Sequence, residues 1–366
     1  MDAPNQPLYY ADYLALDRLL GCQELESARH GTPAHDEMLF IIVHQAYELW
    51  FKQILWELDA VLRLFGGETV DEMDVARSVA HLERIVAIQR VLLQHIDILE
   101  TMTPLDFLEF RNYLIPASGF QSVQFRLIEN RMGLRPQDRV RFSEAPYTSR
   151  LKPGDRARLE ASEKEPSLFD RIERWLERTP FLHFGDFDFW QAYREAVGRM
   201  LERDRRHLLN NPALTPEERE KQLRGLEATA TGFEALFDPE KHRELVARGV
   251  RRLSHRALLA ALLIHLYRHK PILHLPFRLL SLLVDIDENF TTWRYRHALM
   301  AQRMIGTRIG TGGSSGHDYL RQAAERNKVF TDLVNLSTYF IPRSALPELP
   351  PEVERTMGFQ YAGTSG

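Results

Sequence analysis

The feature that most constrains this chain is an apolar stripe of helical period in its C-terminal third. Phe290, Trp293, His297, Met300, Ala301, Met304 and Ile305 recur at helical spacing, so one helix face carries them all. Arg294, Arg296 and Arg303 fall mostly off that stripe. His297 therefore lies mid-face, with bulky apolar neighbours above and below. A neutral imidazole in such a place needs a partner for each ring nitrogen. A core histidine bonded to a backbone carbonyl meets that need; so does a ligand of a metal or of haem iron. The next run, Gly310-Thr311-Gly312-Gly313-Ser314-Ser315-Gly316, bears on the choice. Its small residues let backbone N–H groups and hydroxyls approach whatever His297 holds. It is not a nucleotide loop, because it lacks the Lys-Ser/Thr pair and follows no strand signal.

Runs of period two are scarce elsewhere, and helix signals are everywhere, so the expected fold class is all-α. Thr32 and Pro33 form a cap-plus-proline start for a helix over 33–65 that stops at Gly66-Gly67. On it Phe40, His44, Tyr47 and Phe51 share a face, which puts a second histidine among aromatics; it too could be structural. A helix over 71–100 follows, and Thr103-Pro104 with Asp106 opens a short one over 104–114. There Phe107 and Arg111 are stacked i and i+4. No acidic residue follows Arg111 at three or four positions, and Asp106 and Glu109 do not share its face. That points to an anion from elsewhere, whether a distant carboxylate or a ligand, unless the side chain snorkels to the surface. Ser118 and Gln121 have the form of a capping box opening a helix over 117–133. Residues 134–164 are polar with three prolines and are expected to be loop with at most short elements. Further helices are expected over 167–178, 188–209, 215–237, 239–247 and 254–269, an apolar run over 275–284, and one helix over 317–335. The stretch 8–23, with Tyr10, Tyr13 and Leu14, is expected to be one short amphipathic helix too small for a core of its own, so it must dock.

Composition narrows the function. The chain has 366 residues, 27% charged and 44% hydrophobic, with a net charge of -4. No basic excess points to nucleic acid. Cys22 is the only cysteine, which excludes a disulfide within the chain and a cysteine zinc cage and suits a reducing cytosol. The opening MDAPNQPLYY lacks a basic head and an apolar stretch, so no signal peptide is expected. The greasiest region, 253–284, is broken by charges, histidines and prolines and is expected to be buried helix, not a membrane span. His265 and His269 are i and i+4, but no glutamate of the H-E-x-x-H kind lies between them, which weakens a metal reading.

Four blocks carry a family resemblance: HDEMLFIIVHQAYELWFKQILWEL, FRNYLIPASGFQSVQFR, WRYRHALMAQRMIGTRIGTGGSSG and VFTDLVNLSTYFIPR. Together with the opening LYYADYLALDRLLGCQ they resemble, in order, the signature blocks of the tryptophan 2,3-dioxygenase family. The resemblance implies a haem-binding helical bundle with an N-terminal arm over 1–31, one all-helical domain over 32–343 with a helical insert at 134–275, and a loose tail over 344–366. It implies a cytoplasmic enzyme with one haem b per subunit. The enzyme would cleave the C2–C3 bond of L-tryptophan with O2 to give N-formyl-L-kynurenine, the first step of tryptophan catabolism by the kynurenine pathway. His297 falls on the family's axial haem ligand and His44 on its distal histidine, with Phe40 as pocket wall. Arg111 falls on the carboxylate-binding arginine. Phe107 falls on a pocket aromatic that is Tyr in some members, so that hydroxyl is lacking here. Ser118 matches a serine close to the haem, and Thr311 the threonine near the substrate ammonium. Tyr10, Tyr13 and Leu14 match arm residues that reach into a neighbouring subunit of a homotetramer, a dimer of dimers.

Other classes compete with this reading. A non-catalytic haem gas or redox sensor could use the same helices, but would need no clamp such as His44, Arg111 and Thr311 for an amino acid. A helical interaction protein without cofactor would be colourless. A monooxygenase, or a dioxygenase of substituted tryptophans, shares the sequence pattern.

Overall fold

The computed structural model describes residues 7–140, 146–180, 183–184, 187–306, 308 and 316–358. Helix follows helix among them, and the one sheet they contain is a pair of two-residue strands, His183–Phe184 and Phe187–Asp188.

The arm is two short helices, α1 (Tyr10–Leu14) and α2 (Leu16–Leu20), not the single segment expected over 8–23. The break is Ala15, whose φ of 50° leaves the right-handed helical region. Helix α3 (Glu26–Arg29) precedes α4 (Glu37–Leu64). The expected start at Pro33 is wrong by a turn. The Thr32 hydroxyl is 2.9 Å from the Tyr113 hydroxyl instead of capping the helix. The Glu37 carboxylate accepts from the N–H groups of Glu26 (2.9 Å) and Ser27 (3.0 Å), which ties the turn before α4 to α3.

Helix α5 (Glu72–Leu99) is capped by Asp71, which accepts from Asp74 N–H at 2.8 Å. Helix α6 (Pro104–Phe110) has the Thr103–Asp106 capping box and runs into a 3-10 turn over Arg111–Leu114. Ser118 and Gln121 form their box on a 3-10 turn, and Ser122 then caps α7 (Val123–Met132). Within the expected loop lies one real helix, α8 (Pro153–Ser162), with proline at its first position and Leu159 fully buried.

Next come α9 (Leu168–Glu177), α10 (Phe189–Asn210), α11 (Pro216–Phe237) and α12 (Pro239–Ala247), close to the boundaries that their caps imply. Helix α13 (His255–Leu266) is buried all round over 257–264, as an apolar helix without a polar face must be. Each buried leucine or isoleucine there contributes roughly 1.5–3 kcal/mol. No helix among the described residues is long and apolar enough to cross a membrane.

Helix α14 (Pro271–Ile305) is continuous through Pro276 and joins the apolar run to the stripe that carries His297. Gly306, at φ 60°, turns the chain out of it. The expected helix over 317–335 is instead α15 (Gly316–Arg326), α16 (Thr331–Val334) and a 3-10 turn over Asn335–Tyr339. The break is imposed from outside. Asp287 on α14 accepts from Val329 N–H (2.9 Å) and Phe330 N–H (3.0 Å), which pulls the chain out of helical register. Helix α17 (Pro351–Thr356) follows, and Leu349, Val353 and Met357 are buried, so the segment expected to be loose is packed as far as Met357.

The core is a sandwich of long helices. Helix α14 lies along α5, α5 along α4, and α4 against α7, while α15 folds back on α14. The buried positions of α4, from Val43 through Tyr47, Phe51, Ile54, Leu58 and Val61, keep the helical period that the sequence shows.

Candidate functional site

Helices α4, α6, α7, α14 and α15 leave a cavity of about 300 Å³ between them. Six of the residues singled out in sequence line it: Phe40, His44, Phe107, Arg111, Ser118 and His297. The site residues of three separate blocks therefore meet at one place. Tyr10, Tyr13 and Leu14 do not line this cavity. The two tyrosines are 74% and 71% exposed, so among the described residues their rings are largely uncovered. Thr311, with the rest of the run 309–315, lies outside the described residues.

The α4 wall is aromatic. The Phe40 ring lies 4.1 Å from the His44 ring, 5.7 Å from Phe107 and 5.6 Å from Phe110, centroid to centroid. His44 Nδ1 is 2.7 Å from the carbonyl oxygen of Phe40. Burial pushes the pKa of this imidazole below its ordinary value, more than the contacts with Phe40 and Glu48 push it up. It is therefore neutral at pH 7.

On α14 the apolar stripe faces the cavity, with Trp293, Met300, Ala301, Met304 and Ile305 around His297. By surface area His297 is half-buried, since its ring faces the cavity, yet protein surrounds it on every other side. Desolvation, with a smaller push from His44, lowers its pKa to about 4. A ring neutral at pH 7 has a lone pair to give. The Trp293 ring stacks on it, with centroids 5.3 Å apart and planes at 5°.

A buried charge cluster on the wall of the same cavity is not foreseen from the sequence. Glu129 on α7 accepts from Arg126 (2.8 Å), from Arg294 on α14 (2.9 Å) and from Arg139. Arg294 also donates to the carbonyl of Asn327 at 3.0 Å. Burial would raise the Glu129 carboxyl, but the three guanidinium groups outweigh it and hold the group well below the usual carboxylate range. Arg126, Arg294 and Glu129 all line the cavity, and with Arg139 three guanidinium groups face one carboxylate, so this part of the wall carries net positive charge. Tyr319 on α15, in edge contact with Phe120 at 5.0 Å, completes that wall. The only hint in the sequence was an arginine one position from the stripe.

The donor set bears on what the cavity holds. Among the described residues no group of three or more His, Cys, Asp or Glu side chains is placed to hold a bare metal ion. A haem brings four nitrogen donors of its own and needs one neutral imidazole, an apolar slot and a cationic rim for its carboxylates. His297, the apolar lining and Arg126 with Arg294 meet those needs, so the residues present fit the group. The other histidine pair does not form a site: His265 Nδ1 is 2.7 Å from the carbonyl of Ala261, and the ring stacks on Phe340.

The chain is similar over nearly its whole length to proteins of one family. The family model for tryptophan 2,3-dioxygenase matches residues 2–340. A tryptophan 2,3-dioxygenase of Bdellovibrio bacteriovorus is 53% identical over 97% of this chain and 99% of its own length. That of Alteromonas mediterranea is 49% identical over 97% and 98%. That of Dictyostelium discoideum is 47% identical over 97% and 89%.

Proposed function

The chain belongs to the tryptophan 2,3-dioxygenase family, and from that membership we propose that it opens the indole ring of L-tryptophan with O2, giving N-formyl-L-kynurenine. The observation that carries the reading is the meeting of His297, His44 and Arg111 on one apolar cavity. His297 would hold a haem b through one ring nitrogen, and Arg126 and Arg294 would face the carboxylates of that haem. When bound, the haem supplies the activation of O2.

The rest of the work falls to the chain's own side chains. Burying an indole removes roughly 150–250 Å² from water, which at about 25 cal/mol/Å² contributes roughly 4–6 kcal/mol before the costs of binding. That is micromolar binding only with help. Arg111 supplies it through charge-assisted hydrogen bonds to the substrate carboxylate, which also select the L enantiomer. Thr311 takes the ammonium group, by the family correspondence. Phe40 and Phe107 wall the ring in. His44, with its Nδ1 proton committed to Phe40, offers Nε2 as the acceptor for the indole N–H. Indole is a far weaker acid than imidazolium, so His44 orients the ring and does not deprotonate it. Ser118 closes the pocket on the side of the 3-10 turn.

The exposed Tyr10 and Tyr13, with Leu14, supply the surface that a neighbouring subunit would cover, in keeping with a homotetramer; sedimentation showing a monomer at micromolar concentration would remove that part. A cytoplasmic location is part of the same proposal. The activity is tested by adding tryptophan and ¹⁸O2 to the anaerobically reduced protein and weighing the product. Two labelled oxygen atoms in N-formylkynurenine are expected. One atom, or none, would sink the assignment.

A further inference from the structure

We propose that Trp293 is the positioning residue that fixes the rotational orientation of the axial imidazole, and with it the alignment of the iron–histidine bond. The proposal rests on the reading of His297 as the haem ligand. Two residues one turn apart on a helix share a face, but the backbone leaves their ring planes independent. Here the planes of Trp293 and His297 lie within 5° of each other at 5.3 Å. Such alignment has to be imposed by the surroundings. It is imposed on Trp293 by three rings from other helices. Tyr47 and Phe51 of α4 meet it nearly edge-on at 72° and 83°, with centroids at 5.9 and 6.4 Å, and Phe125 of α7 leans on it at 5.2 Å and 38°. Tyr47 is itself held, since its hydroxyl donates to the carbonyl of Leu92 on α5 at 2.8 Å. The indole is thus wedged between α4 and α7, and His297 lies flat against what is wedged.

The indole gives the imidazole a flat aromatic face to lie against, which an aliphatic side chain could not. Among the described residues, Trp293 is the aromatic ring stacked on His297. Rotation of an axial imidazole about its bond to iron changes its overlap with the metal and the strength of its donation, so the surroundings of a ligating histidine tune the metal as its own identity does.

The test compares Trp293→Phe, which keeps a stacking ring, with Trp293→Leu, which does not, in the haem-loaded full chain. Resonance Raman of the ferrous form reads the iron–imidazole stretch, and electron paramagnetic resonance of the ferric form reads rhombic distortion. Trp293→Leu should keep stoichiometric haem, broaden or split the iron–imidazole band, and lower kcat roughly tenfold or more with little change in KM. Trp293→Phe should restore a single band and most of kcat. A sharp, unshifted band and unchanged kcat in Trp293→Leu would overturn the proposal. So would Trp293→Phe behaving as Trp293→Leu does, since the N–H and not the stacking surface would then matter. Should Trp293→Leu fail to take up haem, Trp293→Met, which also lacks a ring but adapts to fill more of the space, takes its place in the same comparison. An unsubstituted protein with no iron–imidazole band would instead refute the ligand role of His297, which keeps the two failures apart.

Discussion

His44 Nδ1 lies 2.7 Å from the carbonyl oxygen of Phe40, one turn earlier on the same helix. A carbonyl can only accept, so the proton is on Nδ1 and the lone pair is on Nε2. The local helix has therefore chosen the tautomer, and burial keeps the ring neutral. His44→Ala should keep its haem and lose one hydrogen bond to the substrate. That is worth about 0.5–1.5 kcal/mol, or roughly a 2- to 10-fold drop in kcat/KM. Inactivity with normal tryptophan binding would show instead that the ring removes a proton.

His297→Ala removes the one imidazole on α14 that lines the cavity. The expected result is loss of the haem Soret band with helical circular dichroism unchanged, since the half-buried ring contributes little to the core. A haem-replete, active variant would contradict the ligand role.

Arg111→Ala tests the carboxylate clamp. Hydrogen bonds to charged groups are worth about 1.5–3 kcal/mol, so KM for L-tryptophan should rise roughly 10- to 100-fold. Indole analogues without a carboxylate should be affected much less, and the preference for the L over the D enantiomer should shrink. Equal losses for tryptophan and for such analogues would rule the clamp out.

Glu129→Gln leaves Arg126, Arg139 and Arg294 buried around a neutral amide. Breaking such a buried set from one side costs about 3–5 kcal/mol, which chemical denaturation can measure. The same group sets a pH dependence. Its carboxyl is depressed in the folded protein. Its contribution is fully present above the ordinary carboxylate pKa of the unfolded chain and is lost as pH falls through the lower, folded value. The Gln variant should lack that part of the acid transition. An acid limb identical in both proteins would show that Glu129 is not the group responsible.

Features closed within a few residues were legible along the chain. The capping boxes at Thr103, Ser118, Ser167 and Thr215 form as their spacing requires, because each is closed within three residues. The stripes on α4 and α14 face inward because an apolar face has nowhere else to go. Tertiary structure decided whatever depends on a partner far along the chain. Thr32 gave its hydroxyl to Tyr113 and did not cap α4. Asp287 broke the helix expected over 317–335 by taking the N–H groups of Val329 and Phe330. Arg294, which lies off the stripe, is buried because Glu129 stands 165 residues away in sequence and 2.9 Å away in space. Helical period reports which face is apolar, but a buried charge is stable only beside its counter-charge, and no local rule says where that will be. The cavity is a product of the same kind: each helix carries its own part of the wall, and only their packing makes the parts into one site.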